Sequence, residues 1–189
     1  MSKAGNLTNT VRAVSKRPFR VSIEGNIGSG KSTCIKYFDK FRNVEKHGAS
    51  QPSHPGITVK MFERSVQNSR HCFVENAKKQ NFLQEPEYQV LLKWFDYTEK
   101  SLDISLDLIV YLKTTPQIVW DRMMKRGRSE ESEVPLEYLQ QVHDSYEKWI
   151  NSPDIGCEVL TIDADRDLDC VKEDLERYAY KILGGNHTN

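Results

Sequence analysis

The chain has 189 residues, with 27 basic side chains against 27 acidic ones, 38% hydrophobic residues and 29% charged. That is enough apolar material for one folded domain and too little bias for global disorder. Zero net charge gives no overall attraction to a nucleic-acid backbone or an anionic membrane, so any polyanion site must come from local clustering, which suits small phosphorylated ligands better than polymers.

In chain order, the first twenty residues carry Lys3, Arg12, Lys16, Arg17 and Arg20 with no acid before Glu24. Residues 1–18 therefore read as a flexible basic tail, with an organelle-targeting segment as the alternative, and residues 19–185 as a single domain. Phe19 to Glu24 alternates and then meets glycines, the pattern of a buried strand feeding a turn, and Lys31 to Phe41 follows as an amphipathic helix. Gly48, Pro52, Pro55 and Gly56 mark an irregular linker between Asn43 and Gly56. Ile57 to Met61 is a second strand with Glu63-Arg64-Ser65 at its end, leading into a helix through Lys79. A further helix is expected over Glu85 to Asp103. The almost continuously apolar run Leu106 to Leu112 reads as a parallel strand covered on both faces.

Pro116 suits the first turn of a helix reaching Lys125, and Pro135 opens another that carries Tyr138, Leu139, Val142, Tyr146 and Trp149. Val159, Leu160 and Ile162 give a last strand, and a helix from Val171 to Leu183 closes at Gly184-Gly185. Strands alternating with helices predict a three-layer α/β domain with a mainly parallel sheet. No run approaches the roughly 18 apolar residues of a membrane-spanning helix. Cys34, Cys72, Cys157 and Cys170 lie far apart without a CxxC pair, which argues against a zinc site or disulfide framework and for a reducing compartment.

The chemistry concentrates in Gly25-Asn26-Ile27-Gly28-Ser29-Gly30-Lys31-Ser32, a full match to GxxxxGK[ST] placed between a buried strand and a helix. Glycines let the backbone curl around phosphate oxygens, the helix amino terminus faces the anion, Lys31 reaches the outer phosphates and the Ser32 hydroxyl can ligate magnesium. The bland alternative is a glycine-rich turn that tightens a strand-to-helix junction.

Together with "ERSVQNSRHCFVEN" and "RGRSEESEVPLEYL", this loop makes the chain resemble the deoxyribonucleoside kinases, in particular the branch of insect multisubstrate and mitochondrial thymidine kinases. The resemblance covers about Phe19 to Phe41 and most of Ile57 to Asp165. It implies a P-loop kinase fold, ATP and Mg2+ as cofactors, a pyrimidine-biased deoxynucleoside as substrate, a possible homodimer, and a cytoplasmic or mitochondrial setting. It also implies roles residue by residue. Arg126 and Arg128 match the arginines of the mobile lid, with Arg122 in support; a solvated basic face neutralised by Glu130 and Glu131 is the alternative. Glu131 matches the carboxylate that accepts from the nucleoside 3′-hydroxyl. Arg64 matches the arginine beside the 5′-hydroxyl, and Glu63 a carboxylate near magnesium, against a plain helix-capping ion pair. Phe73 matches the aromatic that stacks on the base, against simple core. His71 reads as structural. Asp163-Ala164-Asp165 matches the stretch beside the adenine, or forms a turn.

The chain departs from the family between the first helix and the ERS strand. There the family has a strand ending in EP-x-x-x-W, with the glutamate that accepts the nucleoside proton, and then helices bearing a base-reading glutamine. Arg42 to Gly56 is too short for a strand plus a crossover of its own, which needs about a dozen residues. The expectation is a sheet without one edge strand, leaving Ile57 to Met61 exposed at the edge. Glu85-Pro86 begins a later helix and does not replace the motif. Two other functions compete: a catalytically inactive nucleotide-binding relative, and a nucleoside monophosphate kinase of related fold.

Overall fold

A computed structural model of the chain describes residues 17–41, 44–46 and 58–185; the basic segment 1–16 lies outside them, as does most of the linker. Five strands form one wholly parallel sheet in the order β2-β3-β1-β4-β5, with β1 Phe19–Glu24, β2 Val44–Lys46, β3 Val59–Glu63, β4 Leu108–Lys113 and β5 Glu158–Asp163. The edge expected to be bare is therefore reduced and not empty. Val44–Lys46 pairs in parallel with Val59–Met61, so β3 is an interior strand. The expectation failed because β2 is only three residues long and follows closely on the first helix, which leaves positions 47–58 for the return to β3, just the dozen that a parallel crossover needs.

The two faces of the sheet separate by the period of two. On β4, Leu108, Val110 and Leu112 join one apolar cluster, while Ile109 and Tyr111 join another. The first cluster takes Val21 and Ile23 of β1 and is covered by α1 (Lys31–Tyr37), α7 (Leu168–Arg177) and α8 (Ala179–Ile182) through Cys34, Val171, Leu175 and Ile182. The second lies under α6 (Leu136–Ile150), which contributes Val142, Tyr146 and Trp149, and under Cys72. Both faces are thus helix-covered, which accounts for the almost continuously apolar sequence of β4.

Between β3 and β4 the chain forms a helical rod from α2 (Val66–Asn68) through a π-helical stretch, Ser69–Val74, into α3 (Glu75–Lys79), and then α4 (Glu85–Ser101). Ser65 starts the rod by accepting the Asn68 amide on its hydroxyl at 3.0 Å. Glu85-Pro86 opens α4 as the sequence indicates, with a reciprocal box in which Glu87 takes the Gln84 amide. α5 (Pro116–Arg126) begins at its proline and stops at Gly127, whose φ of 66° is a left-handed cap. The loops that follow β1, β3, β4 and β5 all emerge at the carboxyl ends of parallel strands, where ligand crevices form in open α/β sheets.

Candidate active site

The sequence places three glycines in Gly25–Lys31, and the backbone uses them: φ is 145° at Gly25, 79° at Gly28 and 99° at Gly30. A β-carbon at Gly25 would stand 2.6 Å from Ser29 Oγ and 2.8 Å from the Leu112 carbonyl oxygen, so the loop admits no side chain there. Asn26 fastens the loop from within. Its amide donates to the Leu139 carbonyl at 2.9 Å and its side-chain oxygen accepts from the Ile27 amide at 2.8 Å. Ser29 Oγ is buried against Gly25 and has no hydrogen-bond partner among the described residues.

Lys31 is 5% exposed and donates to the carbonyls of Gly25 at 3.0 Å and Asn26 at 2.7 Å. Burial, seconded by the Arg64 guanidinium, lowers its pKa to about 7, with Glu63 and Glu24 opposing. Ser32, one residue on, donates to Glu63 at 2.9 Å, so the two groups assigned to magnesium face each other across the loop. Among the described residues no cluster of three or more metal-ligating side chains exists. Mg2+ does not require one, because it is commonly held by one or two protein oxygens plus substrate phosphates and water. Ser32 and Glu63 fit that pattern.

Arg64 sits just past β3 with φ 67°, a left-handed conformation that costs a non-glycine residue on the order of 1 to 3 kcal/mol and is kept where surroundings over-determine it. Its guanidinium carbon lies 4.9 Å from the centre of the Phe73 ring, so two residues assigned to the acceptor are in cation–π contact. Phe73 lies on the π-helical stretch, a distortion often found at functional sites. It packs on the Tyr111, Tyr146 and Trp149 cluster together with Tyr138, which also packs against Val119, Met123 and Leu139.

At the lid, Arg126 is ion-paired and hydrogen-bonded to Glu131, and Arg128 approaches the same carboxylate at 3.6 Å. The three residues that the resemblance assigns to phosphate and sugar are thus brought together, holding one another. Arg122 is not with them. It donates to the carbonyl oxygens of Ala164, Asp165 and Arg166 at 2.7, 3.4 and 3.1 Å, and so belongs to the other end of the site. Asp165 accepts the Thr115 amide at 2.7 Å, making 163–165 a braced turn whose Ala164 lines a cleft. His71 is exposed and stacks on Trp149 at 5.9 Å, a packing role.

Two clefts border the loop, one along Gly28 to Gly30 and the other at Ile27. One, of about 490 Å³, is lined by Gly28, Gly30, Tyr37, Arg122, Ala164 and Arg166. The other, of about 600 Å³, is lined by Ile27, Gln80, Phe82, Val134, Tyr138 and Gln141. Sequence reasoning named neither Tyr138 as a wall of the second cleft nor Glu24 beneath the loop. Glu24 was legible in outline: with Val21 and Ile23 facing one side, Ser22 and Glu24 must face the other.

A sequence model of the family described as deoxynucleoside kinase matches residues 44–183. The chain is 33% identical to mitochondrial thymidine kinase 2 of Homo sapiens over 204 residues, covering 86% of this chain and 77% of that protein. Deoxycytidine kinase 2 of Gallus gallus is 33% identical over 136 residues, covering 66% of this chain and 50% of its own length. Deoxycytidine kinase of Homo sapiens is 37% identical over 94 residues, covering 49% and 36%. The alignment with the first of these spans 204 positions against 86% of 189 residues, about 163, so roughly forty of its positions have no counterpart in this chain. On these matches the chain belongs to the deoxynucleoside kinase family of ATP-dependent phosphotransferases.

Proposed function

We propose that the chain transfers the γ-phosphoryl group of ATP to the 5′-hydroxyl of a deoxynucleoside, with a bias toward pyrimidines. The observation that carries this reading is the pair of clefts of ligand size that border the phosphate loop on either side of Ile27 and Gly28. The cleft with Arg122 and Ala164 would take the nucleoside of ATP, and the one with Tyr138 the acceptor. Glycine amides, the free Ser29 hydroxyl and Lys31 hold the phosphates between them, while Ser32 and Glu63 would hold Mg2+, which supplies positive charge at the phosphate oxygens.

Arg64 and Phe73, which touch each other and lie outside the lining of both clefts, would meet the 5′ end and the base of an acceptor that reaches past Tyr138. The acceptor oxygen forms a bond to the γ-phosphorus as the bond to the bridging oxygen breaks, releasing ADP. Arg126 and Arg128, once detached from Glu131, neutralise the oxygens of the moving group. With no EP-x-x-x-W glutamate in this chain, the hydroxyl proton passes to water or to the phosphoryl oxygens, and turnover lacks the roughly 10²- to 10⁴-fold that a general base contributes.

The test is to incubate purified protein with labelled ATP, Mg2+ and a panel of deoxynucleosides and monophosphates, following transfer alongside ATP binding. Slow transfer to thymidine and deoxycytidine is expected. ATP binding without transfer would leave a nucleotide-binding relative, a reading the missing segment favours, and transfer to monophosphates alone would sink both. Val90, Trp94 and Tyr97 expose 66%, 55% and 69% of their surface at helical spacing on α4, which supports a homodimer through that face. Trp94→Asp should then convert a dimer into a monomer in light scattering; an unchanged mass would remove α4 from the interface. The basic start of the chain leaves a cytoplasmic or mitochondrial setting, and mitochondrial import of a fusion carrying residues 1–18 selects the second.

A further inference from the structure

Glu24 is a carboxylate with no exposed surface, at the last position of β1, on the strand face that looks toward α6. A buried acid that served packing alone would be costly, since a charge withdrawn from water needs partners. Glu24 has them on three sides. Ser22 donates its hydroxyl at 2.6 Å, the Ser65 backbone amide donates at 2.8 Å, and the Tyr146 hydroxyl stands at 3.4 Å. Burial pushes the carboxyl above its usual range, while the Ser22 and Ser65 hydrogen bonds and the Lys31 charge pull the other way.

The Ser65 bond matters because of what precedes it. Arg64, in its left-handed conformation, is tethered on both sides to the end of β1: its own amide donates to the Ile23 carbonyl at 3.1 Å, and the next amide goes to Glu24. Its Nε is buried without a hydrogen-bond partner among the described residues, so the side chain is aimed by its backbone and by the Phe73 ring. Neither Glu24 nor Arg64 lines a cleft wall, so any influence of Glu24 on the acceptor must pass through the orientation of the Arg64 side chain. We infer that Glu24 is a positioning residue for the acceptor half of the reaction, holding Arg64 at the nucleoside through the Ser65 amide. This rests on the acceptor reading of Arg64.

Three replacements separate this role from general support of the fold. Glu24→Gln keeps a carbonyl oxygen for the Ser65 amide, Glu24→Asp withdraws the acceptor by one methylene, and Glu24→Leu removes it. Calorimetric titration of each with thymidine and, separately, with ATP is expected to show thymidine affinity reduced about tenfold or more in Glu24→Asp and Glu24→Leu, with ATP affinity within about threefold of the native protein. Glu24→Gln should retain most of the thymidine affinity. In an Arg64→Leu background the Glu24→Leu change should add little, because the two act as one unit.

Unchanged thymidine affinity in Glu24→Asp, or losses that add in the double variant, would overturn the inference; so would equal losses for both ligands. If Glu24→Leu fails to fold, Asp and Gln carry the comparison. If the native chain binds no deoxynucleoside, the acceptor reading fails by itself, and the NMR resonance of Arg64 Nε–H then decides. Displacement in Glu24→Asp but not in Glu24→Gln supports the positioning role, and no displacement in either refutes it.

Discussion

Replacing Lys31 with alanine is expected to lower kcat/KM for phosphoryl transfer by about 10²- to 10³-fold, the usual consequence of removing one charged donor from a developing anion. The ammonium donates to two carbonyl oxygens of its own loop, and in the proposed complex triphosphate oxygens would take their place. A proton effect accompanies this. With its pKa at about 7, Lys31 is partly neutral near physiological pH, and an incoming polyanion favours the charged form. ATP binding should therefore take up protons from about pH 7 upward, and affinity should fall as pH rises through that range.

The stability of the free protein is expected to follow the opposite trend. Between the folded value of about 7 and the ordinary 10.5 the unfolded chain holds more protons, so this group makes stability rise with pH. Titrating ATP in buffers of different ionisation enthalpy measures the uptake, which should vanish in Lys31→Ala. Full turnover and full ATP affinity in that variant would remove the loop from the mechanism.

Much of this was readable because each signal rested on a local physical requirement. Gly25, Gly28 and Gly30 announce a backbone that other residues cannot adopt, and Pro116, Pro135 and Gly184 mark ends of helices for the same kind of reason. The apolar run of β4 declared two covered faces before the covering helices were known. The short strand Val44–Lys46 was not readable, since three residues carry no periodicity and its partner lies beyond the linker.

Side-chain partnerships across the fold were also out of reach. Arg122 sits one turn before the lid in sequence, yet the geometry of α5 sends it to the 164–166 carbonyls. Nothing local in Ser22 or Ser65 signals that both bond to Glu24, because the contact to Ser65 exists only once β1 and β3 are paired.

The lid gives the second large effect. Arg126 and Arg128 both face Glu131, so the two cations share one carboxylate, which the resemblance assigns to the acceptor sugar. The two arginine side chains are 35% and 54% exposed while Glu131 is only 14% exposed, so the arginines can turn to phosphate oxygens provided that Glu131 finds another partner, such as the hydroxyl of the acceptor sugar. Gly127, left-handed at the end of α5, lets the segment turn without strain. Arginines that reach the transferring group only as charge develops act on the transition state. The double variant Arg126→Ala/Arg128→Ala is therefore expected to lower kcat by about 10³-fold or more while the ATP dissociation constant moves by no more than about threefold. Each single variant should lose less than half of that effect on a logarithmic scale, since the remaining arginine can still reach the same oxygens. Glu131→Gln should release the pair and weaken acceptor binding without a comparable loss of ATP affinity. Single-turnover measurements with pre-bound ATP distinguish the cases: a dissociation constant that rises as steeply as turnover falls would make the arginines donor-binding groups and not transition-state ones.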